Sequence, residues 1–231
     1  MQDSMKFANE EMANNPSSRV PVVLCLDVSL SMSQNKKIQK LNKGLKMFYD
    51  AVWNDDSARY AADIAVISFN HESKVEEEFS AIDSKKKLNL KADGGTILSK
   101  PVETALDMAQ KRKQEYAANG VEYFQPWLII MSDGYPEHDN MQTLSNVQKR
   151  VISMEGNRKL SVFPVAIGDQ ADIDVLAGFS KKNGALKLQG LKFDEFFEWL
   201  SQSLSKTSQS EPLANKGEGI MASKEKWQDK I

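Results

Sequence analysis

Val20-Pro21-Val22-Val23-Leu24-Cys25-Leu26-Asp27-Val28-Ser29-Leu30-Ser31 decides how the rest of the chain is read. From Val20 to Leu26 the residues are apolar without alternation. A strand with one wet face alternates, so an unbroken run of this length reads as a strand buried on both faces, as in a parallel sheet. The run stops at Asp27, and from there every second residue carries an oxygen. Three further runs have the same character: Ile64 to Phe69, Trp127 to Met131 and Leu160 to Ile167. Ala185 to Leu188 reads as a last short strand. Lys74 to Phe79 follows the second run closely enough to pair with it as an antiparallel edge.

Between the strands the apolar period changes to that of a helix. Ile38, Leu41, Leu45, Phe48 and Val52 form one stripe, and such spacing marks an amphipathic helix. Lys36, Lys37, Lys40, Lys43 and Lys46 are expected on its solvated face. A second helix is expected from Ser99, read as its N-cap with Pro101 in the first turn, to about Asn119-Gly120. Met141, Leu144, Val147, Val151 and Met154 set a third, Ile173, Leu176 and Phe179 a short fourth, and Phe193, Phe196, Phe197, Leu200 and Leu204 a last. Strands alternating with helices predict an α/β fold: a doubly wound, mostly parallel central sheet, helices on both faces, and one antiparallel edge strand. The domain is expected over 19–205, with a polar N-terminal extension at 1–18 and a polar, flexible C-terminal tail at 206–231.

Bulk properties narrow the function. The formal net charge of −2 gives no basic footprint for nucleic acid, and it argues against a membrane-surface role. With one cysteine, no intrachain disulfide forms, and Cys25 inside an apolar run reads as a buried thiol. Two histidines and one cysteine are too few for the common all-protein zinc sites. No apolar run approaches the roughly 20 residues of a membrane helix, and residues 1–19 lack the apolar stretch of a secretion signal. A cytoplasmic location is expected.

In a doubly wound sheet, sites lie beyond the carboxyl ends of the strands. Three oxygen-bearing clusters fall there. Asp27, Ser29 and Ser31 share one side of an extended turn, Thr96 brings a hydroxyl from the loop Asp93-Gly94-Gly95-Thr96, and Asp133 brings a second carboxylate. The set is hard oxygen throughout, with no imidazole or thiolate, and selects Mg²⁺ or Mn²⁺, with Ca²⁺ less favoured.

These motifs resemble the metal-ion-dependent adhesion site of von Willebrand factor A domains: Asp27-x-Ser29-x-Ser31, then Gly94-Gly95-Thr96, then Ser132-Asp133-Gly134. Ala166-Ile167-Gly168-Asp169, followed by Asp172 and Leu176, is similar to a later segment of the same family, and the likeness covers Val20 to Leu204. Among its members the compact bacterial TerY-like proteins of tellurite resistance look nearest. The resemblance implies an interaction module, not an enzyme: the cation accepts a Glu or Asp side chain of a partner protein. By the same analogy the role is a stress response, with kinase- or phosphatase-like proteins as possible partners. Bacterial members often carry Gly where this chain has Leu30, a position that is not a ligand. Leu30, Asn70, Asp93, Tyr135 and Glu137, with Pro136, are expected to rim the site.

Two rival readings come from other classes. A metal-dependent phosphatase of the haloacid-dehalogenase type places a second Asp two residues after the first, where this chain has Ser29. A metal-independent scaffold would dock through the tail, where Ile220, Met221, Trp227 and Ile231 stand among charges. His71 and His138 read as exposed loop histidines rather than as a general base.

Overall fold

A computed structural model describes residues 15, 17–82, 88–211, 221, 224, 227 and 228. Apart from 15, 17 and 18, the expected N-terminal extension lies outside the described residues, as does most of the expected tail. Six strands form one sheet: β1 (Val20–Asp27), β2 (Ala62–Phe69), β3 (Ser73–Ala81), β4 (Trp127–Ser132), β5 (Ser161–Ile167) and β6 (Leu186–Leu188). Their order is β3-β2-β1-β4-β5-β6. All neighbours pair in parallel except β2 with β3, the antiparallel edge expected from the sequence.

Alternate residues of β1 serve two separate cores. Val20, Val22, Leu24 and Leu26 face a cluster with the helices α1 (Lys37–Trp53), α2 (Asp56–Ala61) and α6 (Phe193–Ser208). Val23 and Cys25 face the other cluster, under α3 (Ser99–Ala118), α4 (Met141–Gly156) and α5 (Ile173–Ala177). Both β1 and β2 are buried along their whole length, which is why their sequences lack alternation. Burial pushes the Cys25 thiol far above its ordinary pKa and leaves it inert.

The topology fixes where a site can form. The chain leaves β1 toward β2 on one side, and β4 takes the place on the other. The crevice between the carboxyl ends of β1 and β4 is therefore the switch point where doubly wound sheets bind ligands. Asp27 ends β1 and Ser132 ends β4.

Several expectations need amendment. Ser99 is the first residue of α3 and does not cap it; Leu98 holds the cap position without a side-chain bond. Asp139 caps the helix instead, accepting from Leu98 N at 2.5 Å, from Ser99 N at 3.1 Å and from the Ser99 hydroxyl. The short helix α2 was not expected; Asp55 caps it by accepting from Ala58 N at 3.1 Å. Lys37 is buried rather than solvated.

The tail also departs from expectation. Helix α6 continues to Ser208, and Trp227 is fully buried, edge-on to Phe196 with ring centroids 4.9 Å apart and 5.1 Å from Trp199. Gln189 N donates to Trp227 O at 2.7 Å, and Gln228 bridges Leu188 on the outer edge of β6. Trp227 thus closes the aromatic end of one core and covers a three-residue edge strand, an exposed pairing hazard otherwise. Among the described residues no helix is long and apolar enough to cross a membrane.

Replacing Trp227 by Ala should cost about 3–5 kcal/mol in urea unfolding, the range for removing a large buried aromatic. Trp227→Phe should cost far less, because its buried indole nitrogen has no hydrogen-bond partner to lose. Equal stability of the Ala variant and the wild type would show that the segment does not dock in solution.

Candidate metal centre

Asp27 is the origin of the site. It ends a strand that is buried throughout, so its carboxylate is carried below the surface and is fully buried. Two donors meet it: Ser29 N reaches Oδ1 at 2.8 Å, and the Ser132 hydroxyl reaches Oδ2 at 2.6 Å. Ser132 thereby ties the end of β4 to the end of β1, a role that sequence reading did not assign. Burial outweighs those bonds and lifts the Asp27 carboxyl from the usual range to about 6, with the nearby Asp133 charge adding a little.

From Asp27 the chain enters a 3-10 segment, Leu30–Lys36. The Ser29 and Ser31 hydroxyls stand 2.9 Å apart, and Ser31 donates to Asp133 Oδ1 at 2.5 Å. Thr96 is buried. A Cβ added at Gly134 would stand 3.9 Å from the Thr96 hydroxyl and 4.0 Å from that of Ser31. The five expected donors, Asp27, Ser29, Ser31, Thr96 and Asp133, thus converge from three loops on one cleft at the switch point.

Backbone hydrogen bonds fix those loops to one another. Val28 N donates to Phe69 O at 2.7 Å, Asp93 N to Val28 O at 2.8 Å, and Leu30 N to Gly94 O at 2.9 Å. Ile97 N donates to Asn70 O at 2.8 Å and His138 N to Thr96 O at 3.3 Å. Asp139 adds to this by capping α3 from the loop after β4, so the Thr96 and Asp133 loops are locked together. Asp93 accepts from Gly94 N at 2.8 Å and shapes its own turn. Gly94 has a left-handed φ of 73°, and a Cβ there would lie 2.0 Å from His71 Nδ1. The left-handed backbone favours glycine there, whereas the exposed His71 ring could swing aside. His71 and His138 lie exposed over Gly94 and Gly95, as expected of loop histidines.

Lys37 is the main feature that sequence reading missed. It opens α1, and its Nζ lies 2.5 Å from Asp133 Oδ2, with the lysine side chain 7% exposed and the carboxylate 0%. Its position was legible in one respect: it precedes Leu41 by one helical turn and so borders the apolar stripe. The wall beside it comes from the loop after β5, where a Cβ at Gly168 would stand 3.7 Å from Lys37 Cε. Asp172, also expected in that segment, caps α5 by accepting from Val175 N at 2.9 Å, and Leu176 is buried.

The rim residues diverge. Leu30 is 60% exposed and Tyr135 49%, and Tyr135 donates its hydroxyl toward Met141 Sδ at 3.7 Å. Asp93 and Glu137 are exposed, Asn70 is half-buried, and Pro136 is buried.

The chemistry of the donor set fits a hard divalent cation. Two carboxylates and three hydroxyls offer oxygen only, which suits Mg²⁺ or Mn²⁺ better than a softer ion. No group of three or more His, Cys, Asp or Glu placed to hold a metal ion occurs among the described residues, so any such ion would rely on the hydroxyls.

Comparisons with known proteins agree with the geometry. The family model for the von Willebrand factor type A domain matches residues 22–196. No curated protein matches the sequence. Among solved structures, a von Willebrand factor type A protein from Catenulispora acidiphila superposes with a TM-score of 0.63 at 16% identity, covering 82% of this chain and 43% of that one. The vWF domain of the type V pili tip protein Mfa5 from Porphyromonas gingivalis gives 0.62 at 13% identity, covering 84% and 98%. Proximal thread matrix protein 1 from the mussel byssus gives 0.55 at 15% identity, covering 82% and 48%; its structure has a zinc-occupied MIDAS motif. This chain therefore spans less than half the length of the first structures it matches and nearly all of the Mfa5 domain.

The raised Asp27 carboxyl gives a signed prediction for the chelated protein. The folded state holds a proton on Asp27 up to about pH 6, whereas the unfolded chain releases it near pH 4. Stability from this group is present below pH 4 and is lost as the pH rises through 6. Asp27→Asn should therefore be more stable than wild type at pH 8, by at most about 3 kcal/mol. The gap should close between pH 6 and 4 in denaturant titrations with chelator. A gap independent of pH would contradict the buried, ionised carboxylate.

Proposed function

Since the chain belongs to the von Willebrand factor type A domain family, we propose that it is a metal-dependent protein-interaction module whose cation is bound by Asp27, Ser29, Ser31, Thr96 and Asp133. Domains of this family are often metal-dependent interaction modules and generally not enzymes. The observation that carries the reading is the meeting of those five oxygen groups at the β1/β4 switch point, with the Ser29, Ser31 and Asp133 side chains already hydrogen-bonded in a chain. The ion is Mg²⁺ or Mn²⁺, by the hardness of the donors. Three of the five donors are neutral hydroxyls, so the ion keeps an electrophilic position that a Glu or Asp side chain of a partner can fill. When bound, the ion supplies a charge-assisted contact to that carboxylate. Asp27 and the hydroxyls hold it, and the stitched loops keep them in place without rearrangement.

The rim suits such a partner. Leu30 and Tyr135, with Met141 beside the latter, are among the few large apolar side chains left exposed. They offer apolar contact around the acidic residue. The location is cytoplasmic in this reading, and the role a stress response or phospho-signalling pathway like that of the TerY-like proteins.

Neither rival gains support. Where a phosphatase of the haloacid-dehalogenase type has its second acid stands Ser29, whose hydroxyl is engaged with Ser31. A tail that docks on a partner would have to free Trp227 from its place among Phe196 and Trp199.

Manganese titration followed by electron paramagnetic resonance should show one ion bound per chain in the wild type and none in Asp27→Ala. An array of short peptides should then be captured only where Glu or Asp is present and only without chelator. Absence of manganese uptake by the wild type would sink the proposal.

A further inference from the structure

Lys37 occupies a position that local physics disfavours. A helix N-terminus carries partial positive charge and repels a cation. α1 has no acidic residue in its first turn and no side-chain cap, and Lys36 before it is left-handed. Burying an ammonium costs several kcal/mol unless it is paired. Asp133, its carboxylate fully buried, is the partner that compensates.

The pairing changes what Asp133 can do. Its Oδ2 is taken by Lys37 and its Oδ1 by the Ser31 hydroxyl, both at 2.5 Å. Asp27 keeps no such cation: its oxygens accept from Ser29 N and from the Ser132 hydroxyl. The two carboxylates and one ammonium leave the cleft a single net negative charge. A divalent ion would turn that into a single positive charge, which one incoming carboxylate neutralises. Without Lys37 the ion alone would balance the two aspartates, and the partner's charge would be superfluous.

We infer that Lys37 is the specificity-determining residue of the site: it remains as a resident cation, competes with the bound ion for Asp133, weakens the hold on that ion and reserves its charge for one acidic side chain. This rests on the metal reading above and deepens it. It differs in making the two affinities move in opposite directions when the ammonium is removed.

The full chain carrying Lys37→Met, which keeps the apolar stem, is compared with the wild type using Mn²⁺ alone and then Mn²⁺ with acetate. Mn²⁺ should bind the variant at least about tenfold more tightly, as removal of one nearby positive charge implies. Acetate should displace manganese-bound water, read by proton relaxation, only at several-fold higher concentration in the variant. A purely structural lysine would lower both affinities together or neither. Lys37→Gln serves as a second variant should the Met protein need the ion to fold, and Lys37→Arg should behave as wild type. Equal or weaker Mn²⁺ binding in the neutral variants overturns the inference while leaving the metal reading intact. Binding by the neutral variants and not by the wild type overturns both, since the wild type then takes up no ion. No binding by any form overturns both.

Discussion

Two carboxylates are carried out of water by the ends of adjacent parallel strands, and the upper end of the molecule is organised around balancing them. Asp27 has no choice of place: it continues a run that the sheet buries on both faces. Its neighbours supply only neutral donors, a backbone N–H and the Ser132 hydroxyl, so burial wins and its proton is held more tightly than in a free carboxylate. Asp133 is met instead by a full charge from Lys37. The cleft is thus asymmetric, with one acid met by neutral donors alone and the other paired with an ammonium.

The rest of the architecture keeps that cleft rigid. Five backbone hydrogen bonds run between the loops after β1, β2 and β4 and the loop before α3. Asp139 caps α3 from across the sheet end. Glycines allow the loops to approach closely, and the histidines lie over them rather than within the cleft. Backbone bonds of this kind hold the loops in a fixed relation, which lowers the cost of ordering on binding.

The fold, and the gathering of five oxygen-bearing side chains at one end of the sheet, were legible because their determinants are local. Unbroken apolar runs mark strands buried on both faces, and the oxygen-bearing residues follow directly at their ends, where the topology must place a site. What was not legible depends on pairing across the chain. Lys37 is 96 residues from Asp133, and in sequence it is one of five lysines between positions 36 and 46. Its placement one turn before Leu41 marked it as a border residue, yet its burial comes with the meeting of the start of α1 and Asp133 in the loop after β4. Asp139 was hidden for the same reason: Ser99 looked like the cap because it stands next to its helix, while the stronger acceptor comes from 40 residues on. Trp227, amid charges, has no apolar period around it, and its burial follows from the aromatic end of α6 and the bare edge of β6.

Those three misses share a cause and a consequence. Each is a polar or isolated residue that satisfies a demand created elsewhere: a buried charge, an uncapped helix start, an open sheet edge. Local pattern cannot register such demands, since they arise only after the strands are packed. Departures from local preference are therefore informative at the switch point. A lysine at a helix N-terminus, paired with the buried Asp133 carboxylate, stands there against the helix dipole. The same ammonium that offsets the burial of Asp133 also takes one of its oxygens, so under the proposed reading the stability of the cleft and its grip on a cation are set against each other by one ammonium group.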